Sequence, residues 1–427
     1  MTKKMRKSSS KELSFRPNRR RRRVALFQLS MPSYRLAFFA RLCEDPHYSI
    51  SLFAARPERD GCKSPAVVQA TQIPARVYRF KLPFCSSYLK FQPAVIHELR
   101  SPAHDVLILG NDILSIDVWV SCLLARLMKR RICLWGHGFS RPDTRMRVWL
   151  RRRLINLAHS VLFYTEETRQ IWMERGVPEE KLFVAYNALD TENIARVKAM
   201  LTAAHLERFR TAQGVRGKSI VIFCGRLMER KSPEILLRAM ALVVRRIPQA
   251  HAFIVGDGPL RKKLECQARK LGLVQSTTFF GEISDETLLA KCFLCSRVSV
   301  IPSAAGLGVQ HAFGYGVPVI VGDDMGGHGP EVSLVTEGVT GLYCRNDDAE
   351  SFAEAIGRVL MDKRLRRRMG VNALKKVESE FTLASMAKGF SNALEHCFND
   401  ARRSTNGKPS QHAKNGACNE VRTASVS

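Results

Sequence analysis

The sequence predicts an α/β protein in which two Rossmann-like, doubly wound domains face a central cleft. Three observations support this prediction. The length of 427 residues exceeds what one hydrophobic core usually reaches. The composition, 45% hydrophobic and 25% charged, is typical of globular proteins. Short apolar runs alternate with amphipathic stretches through the middle of the chain, which is the pattern of βα units around parallel sheets.

Strands in the first half are predicted where short apolar runs recur between turn residues. These strands are Val24–Leu29, Ser49–Ala54, Val106–Gly110, Ile132–Trp135, Val161–Tyr164 and Leu182–Tyr186. Stretches with helical spacing of apolar residues fall between them. They include Tyr34–Cys43, Val118–Lys129 and Arg145–Leu157.

A second alternating series follows a polar, helix-prone stretch. Its predicted strands are Ser219–Cys224, Ala252–Val255, Thr277–Phe280, Val298–Ile301, Pro318–Val321 and Gly341–Tyr343. The predicted organisation is a disordered basic tail at 1–23, a first domain at 24–190, a linker helix at 191–217, a second domain at 218–380 and a disordered tail at 401–427. Two such halves imply a ligand cleft at the carboxyl ends of both sheets.

The chain is strongly basic, with a formal net charge of +29. Eleven basic residues and one acid lie in residues 1–23, so much of the excess belongs to the folded part. We therefore expect a polyanionic partner, which could be a membrane surface, a nucleic acid or a phosphorylated substrate. The twelve cysteines are scattered, as in a cytosolic protein with reduced thiols.

Neither a membrane span nor a signal peptide is predicted. The longest apolar stretch, Ile113–Met128, is interrupted by Asp117 and Arg126. The run Val24–Leu29 is too short for the core of a signal peptide.

The most specific local pattern is Gly-Arg-Leu-Met-Glu-Arg-Lys at 225–231, directly after a predicted strand. Gly225 lets the backbone turn sharply at the strand end. Arg226 in fork geometry and Lys231 as a point charge are suited to a diphosphate. The alternative is a solvated basic turn.

A second pattern lies at 302–318, where a predicted strand ends, small residues form a close loop and a helix follows. Backbone N–H groups at the start of that helix would suit a phosphate, which makes Gly306, Leu307 and Gly308 candidate binding residues. The alternative is an ordinary βα turn. His311, one turn into the helix, either faces a ligand or is a core histidine.

Two further loops carry titratable groups. Gly-Gly-His-Gly-Pro-Glu at 326–331 places His328 and Glu331 on a glycine-rich loop that either closes over a ligand or forms a structural turn. In the first half, Gly136 and Gly138 flank His137 just past a strand end, where α/β sites lie.

With these residues in place, the sequence resembles the retaining nucleotide-sugar glycosyltransferases of group 1, which have the GT-B fold. The resemblance is carried by "GRLMERK", "VGDGPL", "FFGEI", "IPS" and "GYGVPVI" in the family's order and rough spacing, and by "WGHG" in the first half. It implies transfer of a sugar from a nucleoside-diphosphate-sugar to an acceptor with retention of configuration. It also implies that the first domain is the acceptor domain and that a helix at 381–400 crosses back to it.

The resemblance assigns roles to the candidate residues. Arg226 and Lys231 would bind the donor diphosphate, and His137 would approach the donor sugar. The further donor-binding candidates are Gly225, Gly306, Leu307, Gly308, His311, His328 and Glu331. Arg35 and Gly136 would lie on the acceptor side of the cleft.

The chain departs from the family pattern in one respect. The family usually has a Glu in the loop after "PS" and a second Glu eight residues on; here the first is absent and His311 occupies the second position. The segment looks like a variant of bacterial surface-polysaccharide enzymes in which His-Gly-Pro-Glu follows, so part of the donor role passes to Glu331. No Asp-x-Asp triplet occurs. We therefore expect transfer without a metal or other cofactor.

A basic helical stretch in the first half predicts a membrane surface. Arg145, Arg151 and Arg152 cluster there with Trp149. Such a surface would bring the enzyme to anionic lipids and to a lipid-linked or membrane-displayed acceptor, at the inner face of the cell membrane. The alternative is a solvated helix face.

Four other functions remain as alternatives. A GT-B nucleotide-sugar epimerase is the runner-up among enzymes, and a GT-B phosphorylase is weakened by the lack of a recognisable pyridoxal lysine motif. An inactive transferase follows if the missing Glu abolishes activity. A nucleic-acid-binding protein is supported by the arginine run alone, without an aromatic platform or zinc module, so we expect no nucleic-acid partner.

Overall fold

The computed structural model describes residues 21–29, 31–54, 72–82, 87–139 and 143–405. Most of the two predicted tails, at 1–20 and 406–427, lies outside the described residues. Two parallel sheets, one in each half of the chain, form the frame of an α/β protein, as predicted.

The first domain has nine strands in its described residues. They are β1 Arg22–Gln28, β2 Tyr48–Ala54, β3 Gln72–Pro74, β4 Tyr78–Lys81, β5 Tyr88–Phe91, β6 Val106–Gly110, β7 Arg131–Trp135, β8 Ser160–Phe163 and β9 Leu182–Val184. Its helices are α1 Leu36–Glu44, α2 Pro93–Arg100, α3 Ile116–Leu124, α4 Arg145–Leu157 and α5 Glu166–Glu174. The main sheet runs β3-β2-β1-β6-β7-β8-β9, and β4 and β5 form a separate antiparallel hairpin.

The second half contains a six-stranded sheet in the order β12-β11-β10-β13-β14-β15. These strands are β10 Ser219–Cys224, β11 Ala250–Val255, β12 Thr277–Gly281, β13 Ser296–Ile301, β14 Val319–Gly322 and β15 Gly341–Cys344. The helices are α6 Thr191–Met200, α7 Ala203–Ala212, α8 Pro233–Arg246, α9 Arg261–Lys270, α10 Glu286–Cys295, α11 Gly308–Gly314, α12 Ala349–Met361, α13 Lys363–Glu380 and α14 Leu383–Thr405.

The central strands are buried on both faces, which explains their continuous apolar sequences. In β1 the four residues Val24–Phe27 are buried, and β1 pairs in parallel with β2 on one side and β6 on the other. β1 begins at Arg22, inside the arginine run that was predicted to be tail. Arg23 is held there by an ion pair of 3.0 Å with Asp105.

The predicted linker helix is two helices rather than one. Asp190 caps α6, and Thr202 begins α7 with a capping box, so the helix breaks between Met200 and Ala203. Phe209 on α7 packs into the core of the second domain.

The last helix, α14, returns to the first domain. Met386 and Phe390 lie in the same core cluster as Val24 and Leu26 of β1. Gly389 allows a close approach, since a Cβ there would lie 2.1 Å from the carbonyl oxygen of Val184. The chain therefore crosses between the halves twice.

Candidate active site

A cleft of about 530 Å³ lies between the two domains. The residues that line it come from loops at the carboxyl ends of strands in both sheets. Among the candidates predicted from sequence, the lining residues are Arg35, His137, Lys231, Gly306, Leu307, His328 and Glu331.

The 225–231 loop is fixed by the loop that follows β11. The N–H of Leu227 donates to the carbonyl of Asp257 at 2.9 Å, and the N–H of Leu260 donates to the carbonyl of Leu227 at 3.1 Å. Gly256 has φ +129°, and a Cβ there would lie 2.0 Å from the carbonyl oxygen of Gly225. The motifs "GRLMERK" and "VGDGPL" thus form one interlocked unit.

Lys231 is one of two cations of this unit that line the cleft. Its Nζ donates to the carbonyl of Ala304 at 2.9 Å, and burial lowers the pKa of its ammonium group. Arg230, which the sequence analysis did not single out, also lines the cleft. Arg226 is exposed and is not among the lining residues, and Gly225 packs against the Lys231 side chain.

His328 connects the two loops that follow β13 and β14. It is 3% exposed; its Nδ1 accepts from the N–H of Ala305 at 2.9 Å, and its Nε2 donates to the carbonyl of Gly322 at 2.8 Å. Both ring nitrogens therefore form hydrogen bonds with backbone groups, and His328 fixes the 303–308 loop to the end of β14. Gly308 begins α11 close to the carbonyl of Cys224, where a Cβ would be 3.3 Å away.

Glu331 is a buried carboxylate at the junction of the domains. Its Oε1 accepts from Nδ2 of Asn187 at 2.8 Å, and its Oε2 lies on the side of Gly306. Burial raises the pKa of Glu331, while Asn187, Arg35 and Lys231 partly oppose the shift. Asn187 was missed from sequence; it sits where the chain crosses to the second domain, and its backbone carbonyl accepts from Gln310.

His311 does not line this cleft. Its Nε2 lies 3.1 Å from Oε1 of Glu286 on α10, and its ring stacks with Phe293 and Tyr315. The structure therefore gives His311 the core role that the sequence had left open beside the ligand-facing one.

His137 faces the cleft from the first domain and is exposed. Its ring lies 4.7 Å from the ring of Tyr164. The turn that presents it depends on Gly138, which has φ +70° and no room for a Cβ beside Phe163. The Nε1 of Trp172 donates to the carbonyl of Gly138 at 2.9 Å and holds the turn in place.

Arg35 reaches the same region from the start of α1. Its guanidinium donates to Oε1 of Gln28 at 2.8 Å and to the hydroxyl of Tyr164 at 2.7 Å, and lies 4.5 Å over the ring of Trp135. Gly136 lies beside Asn111 in a second cavity that adjoins the cleft.

Three of the four predicted membrane residues are exposed on α4, and the fourth is buried. Trp149 is 52% exposed, and Arg145 and Arg152 are also exposed. The prediction that Arg151 lies on this surface is wrong, because Arg151 is 2% exposed and its Nη1 lies 3.4 Å from Oδ1 of Asp143. Within the described ranges, no helix is long and apolar enough to cross a membrane.

Both halves match models of known families. Residues 207–376 match the family described as glycosyl transferases group 1, and residues 38–193 match glycosyltransferase family 4. Together with the fold, these matches define the class: the second half carries a domain of glycosyl transferases group 1, the first half carries a domain of glycosyltransferase family 4, and the chain has the GT-B fold.

Curated relatives carry more specific activities. The chain is 30% identical over 229 residues to the GDP-mannose-dependent alpha-(1-6)-phosphatidylinositol monomannoside mannosyltransferase of Mycolicibacterium smegmatis. This alignment covers 52% of this chain and 58% of the relative. It is 27% identical over 252 residues to the alpha-D-kanosaminyltransferase of Streptomyces kanamyceticus, with 58% and 63% covered. The alignments thus span less than two thirds of these relatives.

Among solved structures, Anabaena Alr3699/HepE in complex with UDP-glucose has a TM-score of 0.64, at 19% identity, covering 87% of this chain and 99% of that one. Sucrose-phosphate synthase from Thermosynechococcus elongatus has a TM-score of 0.63 at 20% identity, with 89% and 100% covered. These similarities establish the shared fold.

Proposed function

We propose that this chain transfers a sugar from a nucleoside-diphosphate-sugar to an acceptor with retention of configuration and without a metal ion. One observation carries the proposal: Lys231 and the 303–308 loop of the second domain face His137 and Arg35 of the first across one cleft. A donor bound there would have its diphosphate on the second domain and its sugar between the two.

The cations of the cleft would stabilise the leaving group. Lys231 is partly buried, which disfavours its charge, and a bound diphosphate would offset that cost. Arg230 lines the same wall, and Arg226 lies in the same loop. This positive charge supplies at the diphosphate what a divalent cation supplies in other transferases.

The reaction itself needs no protein nucleophile in this proposal. The bond between the anomeric carbon and the phosphate oxygen breaks, and the acceptor hydroxyl oxygen bonds to that carbon on the same face. The hydroxyl proton passes to the departing phosphate. His137 and Glu331, on opposite walls, would hold the sugar while the domains exclude water.

Calorimetric titration with UDP, GDP, ADP and their sugar conjugates tests this proposal. One nucleotide should bind preferentially, with an affinity that EDTA leaves unchanged. Lys231→Met should weaken that binding at least tenfold without lowering the thermal transition, whereas Arg238→Met, on the exposed side of α8, should bind as the wild type does. Absence of binding across the panel, or equal binding by Lys231→Met, would contradict the proposal.

Two further variants, Arg226→Met and Arg230→Met, determine which arginine acts with Lys231. Product NMR then tests retention, because the coupling constant of the anomeric proton in the product reports its configuration. An inverted product would refute that part of the proposal. A free epimerised sugar formed without an acceptor would identify an epimerase instead.

A membrane-displayed acceptor is supported by the exposed face of α3 and α4. Leu127 is 81% exposed just after α3, and Met146 and Trp149 on α4 are 66% and 52% exposed. In residues 116–157 the only acids are Asp117, which is buried, and Asp143, which pairs with Arg151. Exposed apolar side chains in a stretch where arginines outnumber acids match an anionic bilayer surface.

Co-sedimentation with vesicles of phosphatidylglycerol and phosphatidylcholine tests this surface and the peripheral location at the inner face of the membrane. Binding at low salt should fall when Trp149 and Arg145 are both replaced by Ser. Arg238→Ser removes a charge from a helix of the other domain and should bind like the wild type. Equal sedimentation of all three proteins would contradict the membrane surface.

A further inference from the structure

A second cavity, of about 370 Å³, adjoins the cleft on the first domain. It lies at the carboxyl ends of β1, β6 and β7. Arg35 and His137 line both this cavity, here called the first-domain pocket, and the donor cleft. A molecule in the pocket would therefore lie next to a sugar held near His137.

The wall of the first-domain pocket contains an unusual concentration of unsatisfied polar atoms. Among the described residues, Nε2 of Gln92, Nε1 of Trp135, Nε of Arg35 and both amide atoms of Asn111 are buried without a hydrogen-bond partner. Gln92 and Trp135 are only 4% and 3% exposed. Each such atom is costly to bury unless a ligand or an ordered water satisfies it. Since four of the five are N–H donors, the ligand that fits is rich in acceptor oxygens.

Arg35 adds a positive charge that neutral groups alone hold in place. Its partners are the amide oxygen of Gln28, the hydroxyl of Tyr164 and the ring of Trp135. In the described part of the chain it forms no ion pair, and Glu331 acts on it only through space. A largely enclosed cation is normally paired, so a counter-charge is missing from this wall.

The carboxylates of the first-domain pocket are already committed elsewhere. Asp112 pairs with Lys90 at 2.6 Å, and Asp117 accepts from the backbone N–H of Gln92 at 3.2 Å. The buried Arg151 pairs with Asp143. The charge of Arg35 thus remains available to a ligand.

We propose that the acceptor carries an anionic group, a carboxylate or a phosphate, which binds Arg35 in the first-domain pocket with Trp135, Gln92 and Asn111 around it. This inference rests on the proposed function, because it places the acceptor beside the donor sugar. The oxyanion accepts from the guanidinium and the indole N–H. Recognition of this kind selects an acidic sugar or a phosphate-linked acceptor over a neutral one.

Saturation-transfer NMR and calorimetry at constant ionic strength, with the preferred nucleotide bound, test the proposal. Methyl glucuronide and methyl glucoside differ by one carboxylate, and glucose 1-phosphate and glucose differ by one phosphate. The charged member of at least one pair should bind at least tenfold more tightly than the neutral member. The pair that shows the preference identifies the source of the anion.

Variants assign the preference to Arg35. Arg35→Met should abolish it while leaving nucleotide affinity unchanged, Arg35→Lys should retain part of it, and Arg238→Met should behave as the wild type. Equal binding of charged and neutral probes, or a preference that survives Arg35→Met, would overturn the proposal. So would loss of nucleotide binding in Arg35→Met, since Arg35 would then serve the diphosphate. Failure of the wild type to bind any nucleotide would count separately, against the proposed transferase function.

Discussion

Replacing Asp117 by Asn should stabilise the first domain by about 3 kcal/mol at neutral pH. Asp117 is 4% exposed on the first turn of α3, and burial raises its pKa from 3.8 to about 6. At ~1.36 kcal/mol per pKa unit, this shift corresponds to about 3 kcal/mol. An asparagine oxygen can still accept the hydrogen bond from the N–H of Gln92.

The sign of the effect follows from the direction of the shift. Because the pKa of Asp117 is higher in the folded state than in the unfolded chain, the folded state binds the proton more tightly. The wild type therefore loses stability as the pH rises from 3.8 to about 6, and the penalty is constant above that range. Wild type and Asp117→Asn should differ by only about 0.5 kcal/mol near pH 4 and by about 3 kcal/mol at pH 7.5.

Urea unfolding followed by tryptophan fluorescence measures this difference in the right domain. All four tryptophans lie in the first domain, at 119, 135, 149 and 172. Asp105→Asn is the control of opposite sign, because the ion pair with Arg23 lowers the pKa of Asp105 and its loss should destabilise the domain at pH 7.5. A difference between wild type and Asp117→Asn that is the same at pH 4 and pH 7.5 would contradict a raised pKa of Asp117 in the folded state.

Three other substitutions test the site and its supports. Gly256→Ala forces a Cβ against the carbonyl of Gly225, so it should cost about 3 kcal/mol or more in urea unfolding and weaken nucleotide binding measured by calorimetry. Glu331→Gln removes a charge that burial disfavours. At pH values above the elevated pKa of Glu331, this variant should have a higher thermal transition than the wild type, and it should transfer sugar at least tenfold more slowly in a product assay. Gly389→Ala collides with the carbonyl of Val184 and should lower the calorimetric transition by several degrees.

Gly357→Ala is the matched control for the two glycine variants. Nothing lies within 4 Å of a Cβ at Gly357 in α12, so this change should stabilise the chain by about 1 kcal/mol. Glycine variants at 256 and 389 that behave like Gly357→Ala would contradict the close approaches. For Glu331→Gln, the contradicting results are a lower thermal transition at pH 8 and unchanged transfer.

The short edge strand β3, Gln72–Pro74, was missed. The sequence was sufficient for the central strands of both sheets because their side chains are buried on both faces. Such strands appear as continuous apolar runs, and β6 and β10 begin and end where the pattern predicted. The hairpin of β4 and β5 was missed because β4 is only four residues long and is exposed along its whole length, although Tyr78 and Phe80 alternate with basic residues in it. Its pairing depends on a partner strand rather than on a core.

The sequence predicted the site residues that lie in loops after strands. It did not predict the direction in which a side chain points or its partner in the other domain. Lys231 and Gly306 follow strand ends and line the cleft. Arg151 carried a usable signal, because it lies three and four residues before Leu154 and Ile155 on the buried face of α4. Asn187 had no comparable signal, since its role depends on a contact with Glu331 from the other domain.

Hydrogen exchange in the presence and absence of the preferred nucleotide-sugar tests most directly that both domains bind the donor in one cleft. We expect slower exchange in peptides that cover 224–232 and 302–308 of the second domain together with 135–139 of the first. Protection confined to one domain, or located away from these three segments, would contradict this expectation.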